Sequence, residues 1–139
     1  MGFFGSIFGC SKGDKAEQPR FVTAAAFHEN LGRQTTMSPQ TVAALRKHGV
    51  ASDANLKLEF FFYTDTEAKA LQLTEALQTL AYSVESGPSA GDARQFVVSG
   101  WTTPIRMTDE AVVDWTETMC HLGYEHDCDF DGWGTNPEQ

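Results

Sequence analysis

The C-terminal segment has the carboxylate spacing of a calcium-binding loop. Asp127, Asp129 and Asp131 alternate along the chain, Gly132 follows them, and Glu138 comes six residues after the glycine. An EF-hand loop supplies its oxygen ligands in this order, and its glycine permits the sharp turn. Only one residue follows Glu138, where such a loop needs an exit helix, and the same alternation is typical of one face of a β-strand. We therefore interpret these acids as a strand face and predict no metal ion or other cofactor.

Two cysteines and two histidines form a second set of potential ligands. Cys120, His121, His126 and Cys128 carry the thiolate and imidazole groups that zinc prefers. Adjacent residues on a helix point about 100° apart, so Cys120 and His121 cannot readily face one ion. We interpret the two cysteines as small apolar core residues. The sequence predicts no zinc site.

Catalysis requires reactive groups that are gathered in a pocket. Acid–base chemistry needs carboxylates with perturbed pKa values, whereas acids along a strand are solvated. The sequence contains no glycine-rich phosphate loop and no serine elbow. We therefore predict no catalytic residue and no enzymatic activity. A calcium-binding or enzymatic domain is kept as a second alternative.

The negative charge of the chain is concentrated near its C-terminus. The formal net charge is −9; all ten basic residues precede Thr108, and nine of the nineteen acidic residues follow it. A surface of this sign repels phosphates, so nucleic acid is the least favoured partner and we predict no direct nucleic-acid binding. The charge favours a protein partner with a basic patch.

Five residues are expected to contact this partner: Glu125, Asp127, Asp129, Asp131 and Trp133. The four acids would line one face of the last strand. Trp133 lies between Gly132 and Gly134, beyond that strand, where a large ring either anchors an interface or covers the core. The sequence leaves both roles of the ring open.

The length of 139 residues predicts one domain. Residues 1–35 are predicted to be an apolar tag and linker, and residues 36–139 the folded domain. Gly2 begins a myristoylation pattern and Cys10 is a potential second lipid site, so membrane contact through the N-terminus stays an alternative. The odd cysteine count and the lack of a secretory signal predict a cytoplasmic protein.

Three elements are predicted in the first half of the chain. Ser38 and Pro39 have the residue types of a helix start and predict a helix over 38–48. Apolar residues alternate over 56–63 and predict a strand. Residues 64–67 have capping-box spacing, and apolar residues then recur at helical intervals: Ala70, Leu73, Leu77 and Leu80.

Four further elements are predicted in the second half. Residues 82–85 and 94–102 are expected to be antiparallel strands joined by a loop. Thr108 is expected to cap a helix that stops at Gly123, with an apolar stripe of Val112, Trp115, Met119 and Leu122. Residues 124–131 alternate between acidic and less polar side chains and predict the last strand.

The predicted order from residue 55 onward is strand, helix, strand, strand, helix, strand. Two such split halves form a ferredoxin-like α+β sandwich, in which a four-stranded antiparallel sheet carries both helices on one face. The helix over 38–48 would precede this core.

Three motifs in this sequence are similar to those of the regulator of ribonuclease activity B family, also called ribonuclease E inhibitor B. They are Trp-Thr-Thr-Pro at 101–104, Trp-Thr-Glu-Thr-Met-Cys at 115–120, and the run over 123–135 that ends in Asp-Gly-Trp-Gly-Thr. The likeness covers about residues 38 to 136. Its motif residues include Trp101, Trp115, Gly132, Gly134 and Thr135.

The resemblance implies a ferredoxin-like bacterial domain that binds the endoribonuclease of the RNA degradation machinery and restrains it without chemistry of its own. The expected partner is thus a protein, an endoribonuclease of the ribonuclease E type. An immunity-like or other interaction module with a changed partner is the first alternative, because a fold alone does not fix a function.

Overall fold

The first helix, α1, spans Ala24–Lys47 in the computed structural model, which describes residues 19–92 and 94–139. The N-terminal tag, with Gly2 and Cys10, lies outside the described residues. Thr23 caps α1 by accepting a hydrogen bond from the backbone N–H of Ala26 at 3.1 Å.

The predicted start of this helix at Ser38 was wrong, because α1 continues through Pro39. An interior proline costs a helix about 3 kcal/mol. Tertiary packing outweighs that cost here, since α1 buries one long face against the rest of the protein: Phe27, Asn30, Gln34, Ser38, Val42 and Leu45. The helix therefore crosses residue 35, where the linker was predicted to end.

The remaining elements follow in a mixed order of strands and helices. They are β1 (Asn55–Leu56), β2 (Leu58–Thr64), α2 (Glu67–Gln78), β3 (Ser83–Pro88), β4 (Phe96–Trp101), β5 (Ile105–Arg106), α3 (Asp109–Glu125) and β6 (Asp129–Thr135). Thr66 caps α2 and Thr108 caps α3. None of the helices in these ranges combines the length and the apolar character that a membrane crossing requires.

Two antiparallel sheets organise the strands. The larger sheet has the order β3-β4-β2-β6, and β1 pairs with β5 in a small second sheet. The α+β class is confirmed. The two-stranded sheet was not predicted, because its strands are only two residues long and carry no periodic signal.

The core lies between the large sheet and the helices. Every second residue of β2 has no exposed surface: Leu58, Phe60, Phe62 and Thr64. The predicted stripes on α2 and α3 are buried at Ala70, Leu73, Leu77, Val112, Trp115 and Met119. Leu80 departs from the prediction, since it follows the end of α2 and is exposed.

The last strand begins later than predicted. Helix α3 continues to Glu125, Asp127 turns the chain with φ of 57°, and β6 begins at Asp129. Gly123 does not stop the helix. A Cβ at Gly123 would lie 2.7 Å from the carbonyl oxygen of Cys128, so the glycine allows close packing of the turn on α3.

Helix α1 covers the outer edge of β6. The Asn30 side-chain amide donates to the carbonyl oxygen of Phe130 at 2.9 Å, and that of Gln34 donates to the carbonyl oxygen of Asp131 at 3.3 Å. A sheet edge otherwise presents unpaired backbone groups to other chains. These side chains therefore place α1 beside the C-terminal strand that carries several of the expected site residues.

Candidate protein-binding surface

The carboxylate of Asp127 holds the fold together. It accepts hydrogen bonds from the backbone N–H groups of Phe21 and Val22, both at 2.8 Å, and from Lys69 Nζ at 2.7 Å. Arg20 Nη2 lies 3.5 Å from Asp127 Oδ1. Burial opposes the charged form, but Lys69 and the two N–H groups hold the pKa of Asp127 below its ordinary value.

This geometry changes the interpretation of Asp127 from a partner contact to a structural residue. Its side chain is only 13% exposed and joins the start of α1, the start of α2 and the turn after α3. The oxygens that a calcium loop would use first are already occupied by N–H donors. Within the described ranges, no group of three or more histidine, cysteine, aspartate or glutamate side chains is arranged around a common ion position.

The predicted ladder of four carboxylates along one strand face was wrong. Glu125 belongs to α3, Asp127 lies in the turn, and only Asp129 and Asp131 lie in β6. Asp129 is partly buried, and this burial, together with the charge of Asp131, raises the pKa of Asp129. Asp131 is exposed and lies at a β-bulge, where the pairing of β6 with β2 skips it.

A different acidic surface lies on the exposed side of α3. Asp114, Glu117 and Glu125 are exposed and, with His121, follow one another at intervals of three and four residues. Residues at this spacing share one side of a helix. We call Asp114, Glu117 and Glu125 the α3 acidic face; a shallow groove of about 480 Å³ runs beside it.

The α3 acidic face has no ion-pair partner among the residues that the structure describes. Of the nine acids after Thr108, only Asp127 has such a partner there. Glu125 was predicted to lie in the strand over 124–131, apart from Asp114 and Glu117. The sequence signal for this surface is that the three acids recur at helical intervals on the side of α3 opposite its apolar stripe.

Trp133 packs against the core from β6. Its Nε1–H donates to Ser38 Oγ at 3.0 Å, and its ring meets Trp115 edge to face, with centroids 6.1 Å apart at 85°. Ser38 Oγ lies 2.7 Å from Thr116 Oγ1, which donates to the carbonyl oxygen of Val112 at 2.7 Å. Because that donation uses the Thr116 proton, Ser38 donates to Thr116, and a continuous hydrogen-bond chain joins β6, α1 and α3.

This chain of hydrogen bonds gives Ser38 a role that the sequence analysis missed. Serine before proline is a helix-start signal, but Ser38 is buried in the middle of α1 and holds the Trp133 indole. Of the two roles considered for Trp133, this packing is that of a ring covering the core. Trp133 is partly rather than fully buried, so part of its surface also lines the outside of the protein.

The other motif residues mainly shape the sheet. Trp101 is partly buried on β4, opposite Glu59 of β2. Thr135 Oγ1 donates to the carbonyl oxygen of Lys57 at 2.7 Å and fastens the end of β6. Gly132 has φ of 138°, which disfavours any side chain, whereas a Cβ at Gly134 would meet nothing within 4 Å.

Cys120, His121, His126 and Cys128 are not gathered around a common ion position in the part of the chain that the structure describes. Cys120 and Cys128 are both buried, as predicted. Burial raises the pKa of Cys120 to about 12 and that of Cys128 to about 11, so both thiols stay protonated at neutral pH. His126 ends α3, where its Nδ1 lies 3.1 Å from the carbonyl oxygen of Leu122.

The described residues form a small α+β domain whose α3 acidic face makes no ion pair within them. Residues 35–135 match the sequence profile of the family described as regulator of ribonuclease activity B. The match spans more than half of the chain, and the protein belongs to this family. The resemblance noted from the sequence motifs is thereby confirmed. A search of curated proteins found no match to this chain.

Proposed function

We propose that this protein binds an endoribonuclease of the ribonuclease E type through the α3 acidic face and restrains its activity without catalysing a reaction. The family description supports regulation of a ribonuclease through protein contact. The observation that carries the proposal is the α3 acidic face, whose three exposed carboxylates have no ion pair within the described residues.

Unpaired carboxylates on one helix face favour a basic partner for two physical reasons. Asp114 and Glu117 are three residues apart on α3, where like charges repel and cost the free helix a few tenths of a kcal/mol. A partner that brings lysine or arginine side chains relieves that repulsion. The summed field also steers the basic surface and accelerates association at low ionic strength.

We also propose that Asp129, Asp131 and Trp133 of β6 form a second contact region, separate from the α3 acidic face. Asp131 is the exposed member of this group, and Asp127 is left out because its carboxylate serves the fold. The order of the four long strands and of α2 and α3 supports a ferredoxin-like arrangement with α1 added before it. Because residues 24–35 are helical, we also propose that the domain begins before residue 36. The family resemblance further leads us to propose a bacterial protein that acts in the cytoplasm.

Binding to a purified endoribonuclease of the ribonuclease E type, together with cleavage of a fluorescent RNA, tests the proposal. The test variant is the triple Asp114→Asn, Glu117→Gln, Glu125→Gln. The matched control is the triple Asp53→Asn, Glu75→Gln, Glu85→Gln, which removes the same charge from exposed residues away from α3.

We expect the wild type and the control triple to bind and to slow RNA cleavage. Removing three rim charges should slow association about tenfold at low salt and flatten its salt dependence. Equal association rates for the two triples would show that the α3 acidic face is not the contact surface. Failure of the wild type to bind the endoribonuclease would overturn the proposed function itself.

A further inference from the structure

A groove lies between α1 and β6, away from the α3 acidic face. It encloses about 240 Å³, and its lining includes Met37 of α1, Phe61 of β2 and Trp133 of β6. Met37 is 47% exposed, so its side chain contributes apolar surface at the rim of the groove. Gly132 adds no side chain to the groove, so the aromatic surface of Phe61 stays accessible beside it.

The hydroxyls of Ser38 and Thr41 in this groove are engaged in hydrogen bonds within the protein, and two further polar groups are acceptors without a described partner. Asp131 contributes an exposed carboxylate that makes no side-chain hydrogen bond or ion pair to any described residue. The Gln34 amide nitrogen is used to bind β6, whereas Gln34 Oε1 lies 3.8 Å from the position that a Cβ on Gly132 would take. Within the described ranges, no donor is bonded to Gln34 Oε1.

We propose that this groove takes an arginine side chain from the protein partner, an inference that rests on the proposed function. A guanidinium group has several N–H donors and no acceptor, so it matches a carboxylate and an amide oxygen. Its flat, weakly hydrated face also binds aromatic surface such as Phe61 and Trp133. The volume is below the roughly 300–1,000 Å³ of sites for whole small molecules and suits one side chain.

Lysine fits the same groove less well. Its ammonium is a compact and strongly hydrated charge, and it lacks the planar surface that stacks on aromatic rings. The groove therefore discriminates between the two basic residues, whereas the α3 acidic face responds mainly to net charge. Together, the α3 acidic face would attract the partner and the groove would fix the partner's position.

Nuclear magnetic resonance titration of the full chain tests the inference without the endoribonuclease. The probe is the peptide acetyl-Gly-Arg-Gly-amide, compared with its lysine counterpart, and the reporters are the Trp133 indole N–H and the Gly132 amide. We expect saturable shifts at both reporters, with the lysine peptide about threefold weaker.

Asp131→Asn should weaken the arginine peptide about threefold, the size of one exposed ion pair. Glu75→Gln removes a similar exposed charge from α2 and should leave binding unchanged. Met37→Lys, at an exposed helix position, places a cation beside the groove and should abolish saturable binding while the fold is kept.

Three results would overturn the inference: no saturable shift, equal affinity for both peptides, or equal weakening by Asp131→Asn and Glu75→Gln. Peptide binding and endoribonuclease binding are measured separately, so failure of the groove and failure of the proposed function can be distinguished. If the protein binds the arginine peptide but not the endoribonuclease, the proposed function is refuted and the arginine site in the groove is still supported. If Asp131→Asn and Met37→Lys leave endoribonuclease binding unchanged, the role of the groove is refuted and the proposed function is still supported.

Discussion

Replacing Trp133 with alanine measures how strongly the C-terminal strand is held to the core. A fully buried tryptophan contributes about 3–5 kcal/mol relative to alanine. Trp133 is partly buried, but its loss also removes the edge-to-face contact with Trp115, about 1 kcal/mol, and the hydrogen bond to Ser38, about 1 kcal/mol. We expect the free energy of unfolding to fall by about 3 kcal/mol.

Urea denaturation followed by circular dichroism gives this quantity without relying on tryptophan fluorescence. Trp133→Phe is the matched control, because it keeps part of the ring contact and loses the hydrogen bond, so it should cost less than Trp133→Ala but at least about 1 kcal/mol. Beyond this loss of folded protein, partner binding should weaken by less than about 1 kcal/mol, the size of the aromatic contact proposed for the groove. A loss below about 0.5 kcal/mol for Trp133→Ala, with binding weakened by about 2 kcal/mol or more, would refute the core role and make the ring an interface anchor.

The remaining predictions concern Asp127, calcium and the buried thiols. Asp127→Asn should lower the free energy of unfolding by about 2 kcal/mol at neutral pH, because it removes the charged acceptor of Lys69; an unchanged urea midpoint would contradict this. Since the fold lowers the pKa of Asp127, this stability is present above the unfolded value of about 3.9 and is lost as the pH falls through the lower folded value, so the two proteins should converge in acid. Millimolar calcium should not raise the melting temperature, and a saturable rise would show that the C-terminal acids bind calcium after all. In a Cys10→Ser background, Cys120 and Cys128 should react with a thiol reagent only after unfolding, and native-state reaction at the unfolded rate would show that burial does not protect them.

Long elements with a consistent periodic pattern were predicted well from the sequence. The alternation before Thr64 identifies β2, and the apolar stripes on α2 and α3 identify two helices and much of their buried surface. These signals are local, because each depends on one face of one element meeting the core. Their order was enough to predict an α+β class.

The two wrong boundaries arose where packing outweighs a local signal. Pro39 usually begins a helix, but a buried face that starts at Phe27 carries α1 through it. Alternation over 124–131 imitates a strand, although its first two residues complete α3. Gly123 looked like a helix stop and instead permits contact with Phe62 and the Cys128 backbone.

The role of Asp127 could not be predicted from neighbouring residues. Its backbone donors at Phe21 and Val22 lie 106 and 105 positions away in the chain. Only the folded chain brings them to one carboxylate. The α3 acidic face differs, because its helical spacing is visible in the sequence once residues 109–125 are assigned to one helix.

The C-terminal acids therefore serve two opposite physical purposes. Asp127 is stabilised by N–H donors, so neutralising it leaves donors unsatisfied and weakens the fold. Asp114 and Glu117 face solvent beside one another, so neutralising them relieves repulsion and should cost the fold nothing. These two surface charges are unfavourable to the isolated domain and remain available to the basic partner proposed above. Charge removal at α3 thus separates partner binding from folding, which charge removal at Asp127 cannot do.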